Sequence, residues 1–333
     1  IAKSQTKIGH LSFDLMAIND LLSPMLGAGF YYKTFMWPAA FWEKIYEPLI
    51  RKLAGLGYLS GEADPDCYDK GYLHCDLLVI GSGPSGLMAA LTAAESGLRV
   101  ILADEDFCLG GRLNAETAEI NGIDSAIFAA ETIDVLGAMD NVRILPRTTV
   151  FGAFDHSCYG ALERVNEHNA NGNLRQIFWH IRSLRCVLAG GATERPITFS
   201  NNDRPGIMLA GAVRTYVNRF GASPGKRVAI FTNNDDGWAT AKDLHSAGVE
   251  ITAIIDTRPD CKKTPPVGVP CVRGGYVVDS RGRLGLSSVL INNGTHIPAD
   301  CLAISGGWSP NVHLTCHHHG RPIWDDKIAG FVP

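Results

Sequence analysis

No C-x-x-C pair, no uninterrupted apolar run of membrane-spanning length and no basic excess occurs in this 333-residue sequence. Its nine cysteines are odd in number and irregularly spaced. A disulfide framework, a zinc ribbon and a dithiol reductase centre all need regular pairs. The thiols therefore read as reduced, which suits a cytoplasmic protein. A membrane helix needs about 18 or more consecutive apolar residues, so no membrane partner is expected. With 30 Lys and Arg against 34 Asp and Glu, the net charge of −4 offers no footprint for nucleic acid. Neither G-x-S-x-G nor H-E-x-x-H is found, so hydrolysis by a nucleophile elbow or a zincin site is not indicated. The chain opens Ile1-Ala2-Lys3-Ser4, without an initiator Met or a signal-peptide pattern. It is expected to be a piece of a longer polypeptide.

What is present divides into four stretches. Residues 1–70 form an aromatic-rich arm and linker. Phe30, Tyr31, Tyr32, Phe35, Trp37, Phe41, Trp42 and Tyr46 crowd together there. Pro38 is placed to open a helix over Ala39–Tyr46 and Pro48 to limit its end. The arm either packs on its own domain or anchors a partner chain, dense aromatics being suited to interface cores. Gly61 to Lys70 reads as a polar linker.

Residues 71–222 contain the first β-α-β unit. Leu77-Leu78-Val79-Ile80 is a short apolar run suited to a buried parallel strand. A helix through Ala94 follows, Gly97 stops it, and Arg99 to Ala103 supplies the next strand. Residues 223–300 repeat the pattern. Arg227 to Phe231 reads as a strand, Trp238 to Ala247 as a helix, Gly248 as its stop and Ile251 to Ile255 as a strand ending at Asp256. Two such units imply two doubly wound α/β lobes. Val187–Ala192 and Leu302–Gly307 read as strands carrying the chain across the first lobe, and residues 301–333 as an incomplete return to it.

The first unit carries Gly81-Ser82-Gly83-Pro84-Ser85-Gly86, a G-x-G-x-x-G between a strand and a helix, with Asp104 18 positions beyond Gly86. Gly81 allows the tight turn, Gly83 lets a diphosphate approach the backbone, and Gly86 lets helix and strand pack closely. Amides at the helix N-terminus face the phosphates. Asp104 or Glu105 can accept the ribose hydroxyls, which disfavours a 2′-phosphate and so NADP. Gly110-Gly111-Arg112 suits a second loop along the diphosphate, with Arg112 as its fixed positive charge. In the second unit Thr232-Asn233-Asn234-Asp235-Asp236-Gly237 sets side chains and two carboxylates where a diphosphate needs bare backbone. That lobe is expected to keep the architecture without the nucleotide. His313, Cys316, His317, His318 and His319 are too nearly consecutive to converge on one ion, so no metal is expected.

Several stretches together resemble the α subunit of heterotetrameric sarcosine oxidase. They are Phe30–Pro38, Phe41–Pro48, Cys75–Gly81, Phe231–Asp235, Ser305–Pro310 and Gly320–Asp325. The resemblance implies a glutathione-reductase-like flavoprotein fold with two dinucleotide-binding domains, preceded by the aromatic arm. It implies oxidation of the N-methyl group of sarcosine to give glycine and hydrogen peroxide, the methyl carbon leaving as formaldehyde or passing to tetrahydrofolate. It places FAD in a β subunit, FMN between β and α, and NAD in the first lobe of this chain, with γ and δ subunits completing the complex. Ser85, Asp104, Glu105 and Arg112 correspond by position to NAD contacts of that family, Val150 to an adenine contact through its backbone. The full cofactor set is thus Gly81, Gly83, Pro84, Ser85, Gly86, Asp104, Glu105, Gly111, Arg112, Val150 and Gly190. The resemblance further implies a ferredoxin-like domain before Ile1 and folate-binding domains after Pro333. Two other readings stay open: a related amine or opine oxidase subunit with FAD in the first lobe, and a non-catalytic scaffold that binds NAD.

Overall fold

The computed structural model describes residues 9–10, 13–18, 21, 37–53, 61, 63–64, 66–166 and 174–333. The chain divides into Ile1–Pro65 and Asp66–Pro333. Within the first unit Gly9–His10 pairs antiparallel with Phe13–Asp14. Trp42–Tyr46 forms a π-helical turn that continues as an α-helix over Glu47–Leu53. The expected end at Pro48 is therefore corrected. The Glu47 amide bonds back to Trp42, and Pro48 falls in the first α-helical turn, where a missing N–H costs little. Phe30, Tyr31, Tyr32 and Phe35 lie outside the described residues.

In the second unit the first lobe is built on a six-stranded sheet. Its elements are β1 (Cys67–Ile80), α1 (Pro84–Glu95), β2 (Val100–Ala103), α2 (Ser125–Gly137), β3 (Val142–Leu145), β4 (Thr148–Phe154), β5 (Cys158–Arg164) and β6 (Leu174–Leu188). The strand order is β3-β2-β1-β6-β5-β4. The first four run parallel, and β5 and β4 add an antiparallel meander. The linker expected through Lys70 is shorter than read, because Cys67 already pairs with Leu174. Polar Asp69 and Lys70 hid the strand, since its first residues are largely exposed. One sheet face packs Leu87, Ala90, Ala129 and Leu136 of the helices against Val79 and Leu102. The other buries Leu78, Val150, Tyr159, Ile181 and Leu314.

The second lobe comprises β7 (Ile207–Leu209), α3 (Ala210–Phe220), β8 (Arg227–Thr232), α4 (Asp235–Ser246), β9 (Glu250–Asp256), β10 (Cys271–Arg273) and β11 (Cys301–Ser305). Its parallel sheet has the order β7-β11-β8-β9-β10. The strand expected over Leu302–Gly307 is thus in the second lobe, between β7 and β8, not across the first. A fully buried apolar strand carries no signal of which sheet it joins. Gly97 and Gly248, at φ +82° and +76°, end the two equivalent helices as the sequence repeat implies.

The lobes are tied by polar contacts. Arg219 on α3 reaches Asp106 beyond β2 at 2.6 Å, and Thr117 donates to Asp243 on α4 at 2.6 Å. The Arg219 guanidinium holds the Asp106 carboxyl below its usual range. A carboxyl depressed in the folded state stabilises fully above its unfolded pKa of about 4, and that contribution is lost as pH falls. Acid denaturation followed from about pH 6 to about pH 3 is therefore expected to show a shallower loss of stability in Asp106→Asn than in the parent chain.

Candidate dinucleotide site

The fingerprint loop follows directly from β1. The Gly81 amide donates to Ala103 O at 2.8 Å, and Gly81 sits at φ +99°. A Cβ at Gly81 would stand 2.3 Å from Ala189 O, and one at Gly86 1.9 Å from Gly81 O. Both glycines are thus required by packing. Gly83 differs. Its φ is −64°, and a Cβ there would meet nothing within 4 Å. It is also the N-cap of α1, with no side chain bonding the first-turn amides. Pro84 and Ser85 are exposed beside it. An uncapped helix N-terminus facing open space is a geometry that receives a phosphate group.

A hydroxyl that the sequence reading passed over organises the loop. Ser82 is fully buried, and its amide and Oγ both donate to Asp104 Oδ2 at 2.6 Å. Its Oγ accepts from the Gly110 amide at 3.0 Å. Asp104 Oδ1 also accepts from the Asp106 amide at 2.8 Å. Asp104 is therefore the brace of the fingerprint loop, and this leaves Glu105 as the freer carboxylate. Glu105 is exposed and lines an open cavity of about 400 Å³ with Asp106, Phe107, Arg147 and Arg164. The signal for Ser82 was a hydroxyl between two glycines, within reach of the acid that follows β2.

Gly111, at φ +55°, brings the second loop against the first, a Cβ there falling 3.0 Å from Gly83 Cα. Arg112 turns elsewhere. Its Nε donates to Glu116 at 2.5 Å and its Nη2 to Asp236 at 3.1 Å, while its guanidinium lies 4.1 Å from the centre of the Trp308 ring. In this structure the Arg112 guanidinium joins the two lobes through these carboxylates and the indole face. Val150 buries its side chain in the core, next to a bulge in the β4–β5 pairing. Gly190 accepts from Asn311 Nδ2 at 2.7 Å, beside the Ala189 turn that Gly81 touches.

The equivalent place in the second lobe is closed from within. Thr232, Asn234 and Gly237 occupy the positions of Gly81, Gly83 and Gly86. A Cβ on Gly237 would fall 2.4 Å from the Thr232 side chain, so the helix still packs closely on the strand. Asn234 Oδ1 accepts from the Asp236 amide at 2.9 Å and caps α4. Asp256, which ends β9 as Asp104 follows β2, accepts from Trp238 Nε1 at 2.6 Å and from Arg258. Burial pushes its carboxyl up, but Arg258 and Trp238 bring it below the usual range. The capping amide and the sugar-binding acid are both spent inside the protein. The two carboxylates expected to repel a diphosphate are themselves neutralised, Asp236 by Arg112 and Arg214, and Asp235 by Arg258 and Lys263. Side chains filling the turn, more than net charge, close this lobe.

All nine cysteines are free. Burial pushes the Cys186 thiol up to about 11 and the Cys301 thiol up to about 12, so neither is poised as a nucleophile. His317 Nδ1 accepts from the Ala153 amide at 3.3 Å, and His318 lies 5.9 Å from the Tyr159 ring. Among the described residues no group of three His, Cys, Asp or Glu side chains is placed to hold a metal. No helix among them is long and apolar enough to cross a membrane.

Residues 76–133 match the FAD dependent oxidoreductase family. The chain is 49% identical to the alpha subunit of sarcosine oxidase from Rhizobium meliloti (strain 1021) over 99% of its own length and 34% of that protein. The same protein of Corynebacterium sp. (strain P-1) is 40% identical over 84% of this chain and 31% of its own. An opine oxidase chain of Agrobacterium tumefaciens (strain Ach5) is 30% identical over 55% of this chain and 37% of its own. Among solved structures, L-proline dehydrogenase from P. horikoshii aligns with a TM-score of 0.63 at 21% identity, covering 80% of this chain and 48% of that one. Lactococcus lactis thioredoxin reductase aligns with a TM-score of 0.55 at 16% identity, covering 72% and 80%. The chain spans about a third of the length of the first two relatives. It is homologous to that third of the sarcosine oxidase alpha subunit, and its fold is that of the glutathione-reductase-like flavoproteins.

Proposed function

We propose that this chain is the dinucleotide-binding part of the α subunit of a sarcosine-oxidising complex and that it holds NAD in its first lobe. The observation that carries the reading is the uncapped N-terminus of α1 over an open Gly83, set beside a second lobe whose equivalent site is filled. The amides of Ser85 and Gly86 would face the diphosphate, Glu105 the ribose, and the backbone of Val150 the adenine. Asp104 and Ser82 would keep the loop in place. Kinship at 49% identity supports the substrate, the oxidoreductase activity and the assembly with β, γ and δ subunits. Two flavins, FAD held by the β chain and FMN at its interface with this one, would supply the electron transfer from the amine to oxygen. Free cysteines and the similarity to bacterial enzymes support a cytoplasmic location.

The match to an FAD-dependent family favours one alternative, FAD rather than NAD in the same lobe. Calorimetric titration of the assembled complex with NAD, NADP, FAD and ADP-ribose separates the two. NAD and ADP-ribose are expected to bind, with NADP at least about tenfold weaker because Glu105 repels a 2′-phosphate. Glu105→Gln is expected to weaken NAD about tenfold or more, since a hydrogen bond to a charged group contributes about 1.5–3 kcal/mol. Tight FAD binding with silent NAD titrations would transfer the site to the flavin.

A further inference from the structure

A second cavity, of about 220 Å³, opens where α3 of the second lobe faces the loop after Gly111. Apolar surface from Ala115, Leu209, Ala212 and the Trp308 ring makes up much of its wall. Two guanidiniums, Arg112 and Arg214, reach it, and both are already matched by carboxylates. Arg112 is paired with Glu116 and Asp236, Arg214 with Asp236 and Asp243. Three carboxylates thus answer two cations before the last wall residue is counted.

That residue is Glu194, 6% exposed. Its Oε2 accepts from the Gly211 amide at the start of α3, at 2.7 Å. Its Oε1 is buried with no partner in hydrogen-bonding geometry. A buried carboxylate oxygen without a donor is costly, and groups of this kind are retained where something else satisfies them. Burial pushes the Glu194 carboxyl up, against the downward pull of the Gly211 amide, the Ser305 hydroxyl and the more distant Arg112 guanidinium. An N–H donor bearing positive charge and a small apolar substituent satisfies both the acid and the wall.

We propose that the cavity between the lobes binds a small organic ammonium ion, with its N–H on the Glu194 carboxylate and its alkyl group against Trp308, Leu209 and Ala212. The site is separate from the fingerprint loop, so it stands or falls independently of the NAD reading. Dimethylammonium chloride titrated calorimetrically into the protein at fixed ionic strength, with potassium chloride and sodium acetate as controls, tests it. Saturable one-to-one binding is expected for the ammonium and not for either control salt. Glu194→Gln, which keeps the shape and the acceptor for Gly211, is expected to weaken binding at least tenfold. Ala212→Phe, which fills the cavity without touching the acid, is expected to do the same. Thermal unfolding of both variants should stay cooperative, which shows that the protein remains folded. Absence of saturable ammonium binding in the parent protein would overturn the proposal, and so would equal binding by Glu194→Gln.

Discussion

Gly86→Ala is expected to unfold part of the first lobe and abolish dinucleotide binding, whereas Gly83→Ala, in the same motif, is expected to abolish binding alone. At Gly86 the new Cβ would lie 1.9 Å from Gly81 O and 3.3 Å from Ala189 Cβ. Both obstacles are fixed by the loop itself, so the helix must shift from the strand. Overpacking of this kind costs about 1–3 kcal/mol, more than the roughly 1 kcal/mol that alanine returns in helix propensity. At Gly83 the backbone is extended and the Cβ direction is empty, so alanine fits the unliganded protein within about 1 kcal/mol. The methyl would then stand where the diphosphate approaches. Chemical denaturation should separate the variants clearly, and ADP-ribose titration should show a loss of at least about a hundredfold in both. Retained binding in Gly83→Ala would mean that the open space is not the ligand's.

The second large effect is expected at Arg214. Its side chain is 6% exposed and lies between Asp243, 3% exposed, and Asp236, at 2.8 and 3.0 Å. Asp243 also accepts from Asn218 and from Thr117 of the first lobe. Arg214→Ala leaves Asp243 buried without its cation, a change that typically costs about 3–5 kcal/mol. Because the same network joins the lobes, their unfolding should also become less cooperative. Arg214→Met with Asp243→Leu removes both charges and is expected to recover much of the loss, since apolar replacement of a buried pair is often close to neutral. Thermal unfolding of the two variants measures this directly. A single replacement as costly as the double would place the loss in packing and not in charge.

The first lobe was legible because its signals are local. Gly81, Gly83 and Gly86 each do a distinct mechanical job, and the run Leu77–Ile80 has no stable place but a buried strand. Gly97 and Gly248 likewise announced matching helix ends. What was not legible depends on distant partners. Cys67–Lys70 joins β1 only because Leu174–Phe178 pairs with it, and Cys301–Ser305 enters the second sheet because a place between β7 and β8 is open. Charge has distant partners in the same way. Arg112 gathers Glu116, Asp236 and Trp308 around it, which no local motif announces. Asp104 is held by the hydroxyl and amide of Ser82, a bond set by how the two strands lie together. Proximity along the chain to a known motif indicates what a residue can reach, and its final partner is set by the packed structure.

The central claim is that the free amides opening α1 hold the diphosphate of an adenine dinucleotide. A crystal of the protein with its partner subunits, grown with saturating NAD, tests it most directly. The account predicts phosphate density against the amides of Ser85 and Gly86, with the ribose beside Glu105. A dinucleotide bound instead at Thr232–Gly237, or none in either lobe, would contradict it.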